Sequence, residues 1–210
     1  NKIEDDLSRR DFTINAMAWN ESDGIIDKFG GKRDIWNKTL KFVGNPSERI
    51  QEDPLRMLRA VRFVAKTGFT LDKDSFEALK KNAHLIKNVA KERIHDELVR
   101  TLKQDNYINA VKVMKESGLL SEIIPEIKSQ YGYNQNNPHH SFDLWTHTEN
   151  VLKNCKDCDY ITKFAALLHD IGKPVTQTKD EETGFSHFYG HEIKGAEMTA
   201  DILNRLRFTN

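Results

Sequence analysis

The 210-residue chain is poor in cysteine, proline and long apolar runs. Its two cysteines, Cys155 and Cys158, form a lone CxxC with no second pair and no histidine at finger spacing. That excludes a disulfide framework and a closed zinc finger, and leaves two thiols near a helix end. The longest uncharged apolar run, residues 164–168, falls far short of a bilayer span, and the first residues are polar and acidic rather than basic and then apolar. No membrane partner is expected, and the expected compartment is the cytoplasm. Net charge is missing as well, with 32 Lys+Arg against 32 Asp+Glu. The balance is uneven along the chain: residues 1–138 carry 24 basic against 21 acidic side chains, and residues 139–210 carry 8 against 11. Such a mild bias does not by itself establish nucleic-acid binding.

What is present falls into three regions. Residues 1–47 mix β-prone stretches (13–19, 24–29 and 39–43) with a Gly30-Gly31 turn and a short polar segment, 32–38. They read as the tail of a small α/β unit. From Ser47 the apolar period becomes helical, with Asp53-Pro54 as the cap and first position of a helix, apolar residues at 55, 58, 61 and 64, and Gly68 as the stop. Further helices are expected over 73–81, 90–104, 107–117 and near 119–124. A polar linker, residues 131–141, leads to a third region with helices over 145–154, 159–169 and 191–207. The expected fold class is mainly α: the remnant of an α/β head over 1–47, an all-α neck over 48–130 and an all-α domain over 131–210.

The stretch EDPLRMLRAVRF sets Arg56, Arg59, Arg62 and Lys66 on one helical stripe, because steps of three or four return to the same face. A solvated basic face accounts for such a stripe. A sharper reading concerns Asp53 and Arg56, one turn apart, which set an acceptor beside a fork of donors. Cytosine and adenine both offer an amino donor next to a ring-nitrogen acceptor, whereas uracil and guanine offer a carbonyl next to an N–H. A fixed carboxylate and guanidinium would accept C and A and mismatch U and G. The remaining arginines suit a triphosphate.

RRDFTINAMA, DKFGGKRDI, QEDPLRMLRAVRF and ERIHDEL, in this order and spacing, resemble successive motifs of the class II tRNA nucleotidyltransferases and the related bacterial poly(A) polymerases, over residues 5–102. The resemblance implies addition of C and A, from CTP and ATP, to tRNA 3′ ends. It places Arg9, Arg10, Asp11 and Asn15 at the triphosphate and ribose, with Arg10 the main nucleotide contact. Asp53 and Arg56 become the template for the base, and Arg59 and Arg62 further nucleotide contacts. Gly30 and Gly31 match a turn where head and neck move, and Arg93 with Glu97 a brace of the neck. The family's two metal-binding carboxylates, a DxD holding Mg²⁺ for two-metal phosphoryl transfer, have no counterpart in this sequence. Asp5 and Asp6, read as adjacent on a strand, point to opposite faces. The Mg²⁺ ligands are therefore expected outside this chain, which is expected to be a piece of a longer enzyme and to transfer no nucleotide alone.

Downstream, LLHDIGKP lies between Trp145-Thr146-His147 and HFYGHE. Three imidazoles and a carboxylate near helix ends are ligand types that transition-metal sites use. The pattern resembles the HD phosphohydrolase superfamily, H…HD…D. The resemblance implies a divalent transition metal on His147, His169 and Asp170, with His191, or less readily His187, as a further ligand or phosphate contact and Lys173 beside a phosphate. The implied chemistry is hydrolysis of a 2′,3′-cyclic phosphate or a phosphomonoester. The closing aspartate of the pattern is expected beyond Asn210, Asp201 standing too close to His191. Within the first family, an A-adding enzyme, a CC-adding enzyme and a poly(A) polymerase stand as alternatives, and an HD phosphohydrolase is the alternative from another class.

Overall fold

The computed structural model describes residues 2–136 and 143–208, so the expected linker at 131–141 lies outside the described residues from 137 onward. The fold is mainly α, 61% helical. Two compact units divide the chain, residues 1–122 and 123–210.

In the first unit, helix α1 (Lys2–Ser8) precedes a short 3-10 turn, Thr13–Asn15, and an antiparallel hairpin of β1 (Met17–Asn20) and β2 (Gly24–Asp27). Asp5 and Asp6 are thus helical, not the strand residues the sequence reading assumed, and Asp6 is committed to Arg10 at 3.1 Å. The polar segment at 32–38 is the short helix α2 (Gly31–Trp36). Its start is held by Asp27, whose carboxylate accepts from the N–H groups of Gly31 (2.7 Å) and Lys32 (2.9 Å). Burial pushes the Asp27 carboxyl up, but these N–H groups outweigh it and hold the group below its ordinary value.

Strand β3 (Thr39–Leu40) pairs in parallel with β4 (Thr70–Leu71), and between them run α3 (Pro46–Glu52) and α4 (Arg56–Thr67). The sequence reading misplaces this junction. Helix α3 begins one residue before Ser47, capped by Asn45 with Pro46 in its first turn, and Asp53 ends α3 rather than capping a helix at Pro54. Asp53 has φ −146° and ψ 100°, the extended geometry that a following proline imposes. Its carbonyl accepts from Arg56 N–H at 3.0 Å, and α4 starts two residues past the expected point. Gly68 does stop α4, at φ +71° with its N–H on the Val64 carbonyl. The buried face of α4, including Leu58, Val61 and Val64, packs on α6 (Lys91–Leu102) and α7 (Tyr107–Glu116), while α5 (Lys73–Asn82) covers α3. The short α8 (Leu119–Ile123) follows.

The second unit contains α9 (Leu144–Asn154), capped by Asp143, and α10 (Tyr160–Leu168), capped by Asp159. Both helices lie where the apolar period places them, and the two free thiols follow the end of α9. One turn of helix, α11 (Lys173–Thr176), leads into a two-stranded hairpin, β5 (Thr178–Lys179) and β6 (Ser186–His187), then α12 (His191–Arg205). The hairpin corrects the expectation of an all-helical third region. Two residues per strand are too few to print a period of two.

Candidate functional site

Two clusters of the expected residues form, one in each unit. In the first, the α4 stripe is met by carboxylates from elsewhere in the unit. Asp11, 8% exposed, accepts from Arg56 Nε at 3.0 Å and Arg59 Nε at 2.6 Å. Arg56 also donates to Glu52 (2.6 Å) and the Arg49 carbonyl (2.7 Å). Arg62 Nε reaches the buried Glu97 at 2.6 Å, tying α4 to α6. Asp53 Oδ2 lies 3.2 Å from Arg93 and its other oxygen accepts from Leu55 N–H. Asp53 and Arg56, expected as a template pair, therefore each hold a different partner. Arg9 and Arg10 are exposed, and their carbonyls accept from Arg49 (2.6 and 3.1 Å). The Asn15 side chain accepts the Phe12 N–H at 3.1 Å, a local structural bond.

Two members of this network escape the sequence reading, Arg49 and Glu52. The signal was present, since Glu52 to Arg56 is an i,i+4 acid–base step, but the misplaced helix junction hid it. Gly31 is required by contact: a Cβ there would lie 2.3 Å from the Thr13 carbonyl oxygen. Gly30 is required by its φ of +79°.

In the second unit, His147 Nε2 and His169 Nε2 are 3.2 Å apart, and Asp170 Oδ2 lies 3.5 Å from the first and 3.2 Å from the second. All three ligand atoms fall within 4.8 Å of one another. His169 ends α10, and Gly172 then lets the chain pass under α12: a Cβ at Gly172 would lie 2.3 Å from the His191 carbonyl oxygen. This close pass brings His191 Nε2 to 3.7 Å from Asp170 Oδ1. Lys173, 6% exposed, sits 2.9 Å from Asp170 Oδ2 and donates to Gln135 at 3.1 Å. Gln135 was not anticipated, and nothing local in the sequence marks it.

The donor set fits a divalent cation. A carbonyl only accepts, so Nδ1 of His169 (2.8 Å from Ala166 O) and of His191 (2.7 Å from Phe188 O) must donate, which turns the Nε2 lone pairs toward Asp170. Asp170 Oδ2 is buried and meets no aligned hydrogen bond among the described residues, although Lys173 is close. Burial pushes the Asp170 carboxyl up, but His169 and Lys173 outweigh it and hold it well below the usual carboxylate range. Burial keeps His147 below its ordinary pKa, while His169 is raised because Asp170 overcomes burial. His187, expected one helical turn before His191, lies on β6 and faces Asp180 at 3.7 Å. Asp201 is exposed on α12, about 15 Å along the axis from His191 at 1.5 Å per residue, and outside the cluster.

Comparison with known families agrees with both halves. Residues 1–41 match the poly(A) polymerase head domain, residues 68–131 the probable RNA and SrmB-binding site of polymerase A, and residues 139–209 the HD domain. The three matches follow one another along the chain as head, RNA-binding segment and HD domain. The chain is 36% identical over 98% of its length to an A-adding tRNA nucleotidyltransferase of Deinococcus radiodurans, of which it covers 49%. It is 34% identical to a multifunctional CCA protein of Neisseria gonorrhoeae, again over 98% of the chain and 50% of that protein. The Bacillus stearothermophilus CCA-adding enzyme, solved in complex with CTP, shares its fold at a TM-score of 0.54 and 25% identity, over 95% of this chain and 60% of that one. The chain belongs to the class II tRNA nucleotidyltransferase family, and it spans about half the length of the curated relatives it matches.

Proposed function

We propose that the enzyme containing this chain adds C and A, from CTP and ATP, to tRNA 3′ ends. The observation that carries the reading is the ordered head, RNA-binding and HD match, continuous with tRNA nucleotidyltransferases over 98% of the chain. The arginine forks of α4 supply donors for a triphosphate, with Arg9, Arg10, Asp11 and Asn15 at the mouth of that site and Asp53 and Arg56 reading the base. The ion pairs of Asp53 with Arg93 and of Arg56 with Asp11 support the reading in that they hold each side chain in one place. Mg²⁺ for nucleotide transfer is assigned to carboxylates outside this chain. No described helix is long and apolar enough to cross a membrane, and the cytoplasm, where tRNA is processed, is the proposed compartment.

The second unit supports a metal-dependent phosphohydrolase. His147, His169, Asp170 and His191 would hold a divalent transition ion, with Lys173 beside the phosphate. Such an ion supplies positive charge to a phosphoryl oxygen and makes water acidic. The Ala166 and Phe188 carbonyls orient the His169 and His191 imidazoles, and Lys173 offsets the negative charge of Asp170.

The test uses the full-length enzyme on tRNA lacking CCA, with each nucleotide in turn. CTP and ATP are incorporated, UTP and GTP are not, and exchanging Asp53 and Arg56 relaxes the choice. Unchanged selectivity in the exchanged variant removes the template assignment. An A-adding enzyme, the reading favoured by the 36% relative, would extend only tRNA already ending in CC.

A further inference from the structure

The thiols of Cys155 and Cys158 take no part in either cluster described above, yet the backbone brings them together. Cys155 is the C-cap of α9, and Cys158 directly precedes Asp159, the cap of α10. The connection between the two helices is one tight turn, in which the Cys158 N–H donates to the Cys155 carbonyl at 3.1 Å. Such a turn sets its end Cα atoms under about 7 Å apart, and a disulfide spans roughly 4.4–6.8 Å between Cα atoms. The backbone thus meets the main geometric demand of a bridge, and the side chains meet the other, since they hydrogen-bond to each other. Both ends of the turn are pinned. The Cys155 N–H donates to the Leu152 carbonyl at 3.0 Å, and the Asp159 carboxylate accepts the Thr162 N–H at 2.8 Å. Both cysteines are partly exposed, so a small reagent reaches them.

The electrostatics order the two thiols. Burial, and then the neighbouring Cys158, pushes the Cys155 thiol up, against the pull of the Lys163 ammonium. Lys163 is itself buried on α10, 5% exposed. Once the Cys158 sulfur is tied up in a covalent bond it carries no charge, so its repulsion ends and the Lys163 cation favours the Cys155 thiolate. A solitary thiol would stop at the mixed disulfide, whereas here the second thiol is in place to close the ring.

We propose that Cys155 and Cys158 are a reversible oxidation site whose reagent is a small disulfide of the glutathione type, and that the bridge they form clips the end of α9 to the start of α10. The proposal goes beyond the two activities above and depends on neither. Cys158 loses its proton and its sulfur attacks the oxidant, forming a mixed disulfide and expelling one thiol. Cys155 then loses its proton and attacks the Cys158 sulfur, forming the protein disulfide and expelling the second thiol. Two electrons and two protons pass from the pair to the oxidant, which leaves as two thiols, and a dithiol reverses both steps. One bridge inside a turn is no framework. In the reducing compartment proposed above, disulfides are mostly transient, catalytic or redox-sensing. His147 stands eight residues before Cys155, about 12 Å along α9, so the clip acts on the helix pair rather than on the ligand cluster.

The whole chain is incubated with oxidised glutathione, its remaining thiols are blocked with N-ethylmaleimide, and it is digested with trypsin without reduction. Lys156 lies between the two cysteines, so trypsin separates NCK (154–156) from DCDYITK (157–163) unless a bridge joins them. In a chain that remains monomeric the joined peptides appear, and dithiothreitol separates them. Cys155→Ser instead traps glutathione on Cys158. By the fluorescence of Trp145, which is buried on α9, the oxidised wild type unfolds at a urea midpoint up to about 1 M above that of the reduced form, the gain from closing so short a loop in the unfolded chain. Neither Cys155→Ser nor Cys158→Ser shifts its midpoint with the oxidant. Separate peptides that carry glutathione or the blocking reagent overturn the site, as does a bridge that joins two chains. A bridge that forms with no change in midpoint overturns the clip.

Discussion

Replacing Gly172 by alanine isolates one physical effect. The backbone there has φ −79° and ψ −18°, a right-handed conformation open to any residue, so the substitution carries no dihedral penalty. The penalty is contact. An added Cβ would lie 2.3 Å from the His191 carbonyl oxygen, 2.6 Å from Gly195 N and 3.0 Å from Gly195 Cα. All three are backbone atoms, which no rotamer change can move. Restoring ordinary contact requires the start of α12 to retreat by about 1 Å, and overpacking of this kind costs about 1–3 kcal/mol. With a urea slope of about 2 kcal/mol/M, the midpoint of the second unit falls by about 1 M. The assay is tryptophan fluorescence. Trp145 is 1% exposed in the second unit, whereas Trp19 and Trp36 are 70% and 86% exposed and change little on unfolding. Gly195→Ala is the matched control: its nearest atom would be Gly172 N at 3.5 Å, an ordinary contact, and removing a mid-helix glycine adds about 0.5–1 kcal/mol of stability. An unchanged midpoint in Gly172→Ala, or equal loss in both variants, would refute the reasoning.

Two further outcomes follow from the ion pairs. Asp11→Asn removes the charge shared by Arg56 and Arg59; with Arg59 36% exposed the loss is discounted to about 2 kcal/mol, read as faster amide exchange at Val43, whose N–H donates to the Asp11 carbonyl. Glu126 makes a two-pronged pair with Arg205 (2.7 and 2.8 Å), which outweighs burial and holds its carboxyl below the ordinary 4.5. A depressed carboxyl stabilises above its unfolded value and stops doing so as pH falls through the folded one. Glu126→Gln therefore lowers stability by about 0.5–1 kcal/mol at pH 7, and the gap to wild type closes below about pH 4.5; a gap that persists in acid speaks against the pair.

The helices over 73–82, 107–116, 144–154 and 160–168 were legible because each buries one apolar face and begins or ends on a side chain suited to that position. The junction at 45–56 was not, because Asn45-Pro46 and Asp53-Pro54 are both good helix starts and only tertiary contacts decide which one is used. His147, His169, Asp170 and His191 were legible as ligand types, and Asp11, Arg56 and Arg59 as a charged set. Their partners were not, since Asp11 to Arg59 spans 48 residues and Gln135 to Lys173 spans 38.

The arginines of α4 carry a consequence for ionic strength. Arg56, Arg59 and Arg62 are each neutralised inside the protein, by Asp11, Glu52 and Glu97. A phosphate brought to these forks would share the arginine charge with the carboxylates already there, leaving less of it to replace the cations condensed on a polyanion. For the RNA binding proposed above, the salt dependence is expected to rest on the lysines of the front half, with a slope shallower than the number of arginines on the stripe would give.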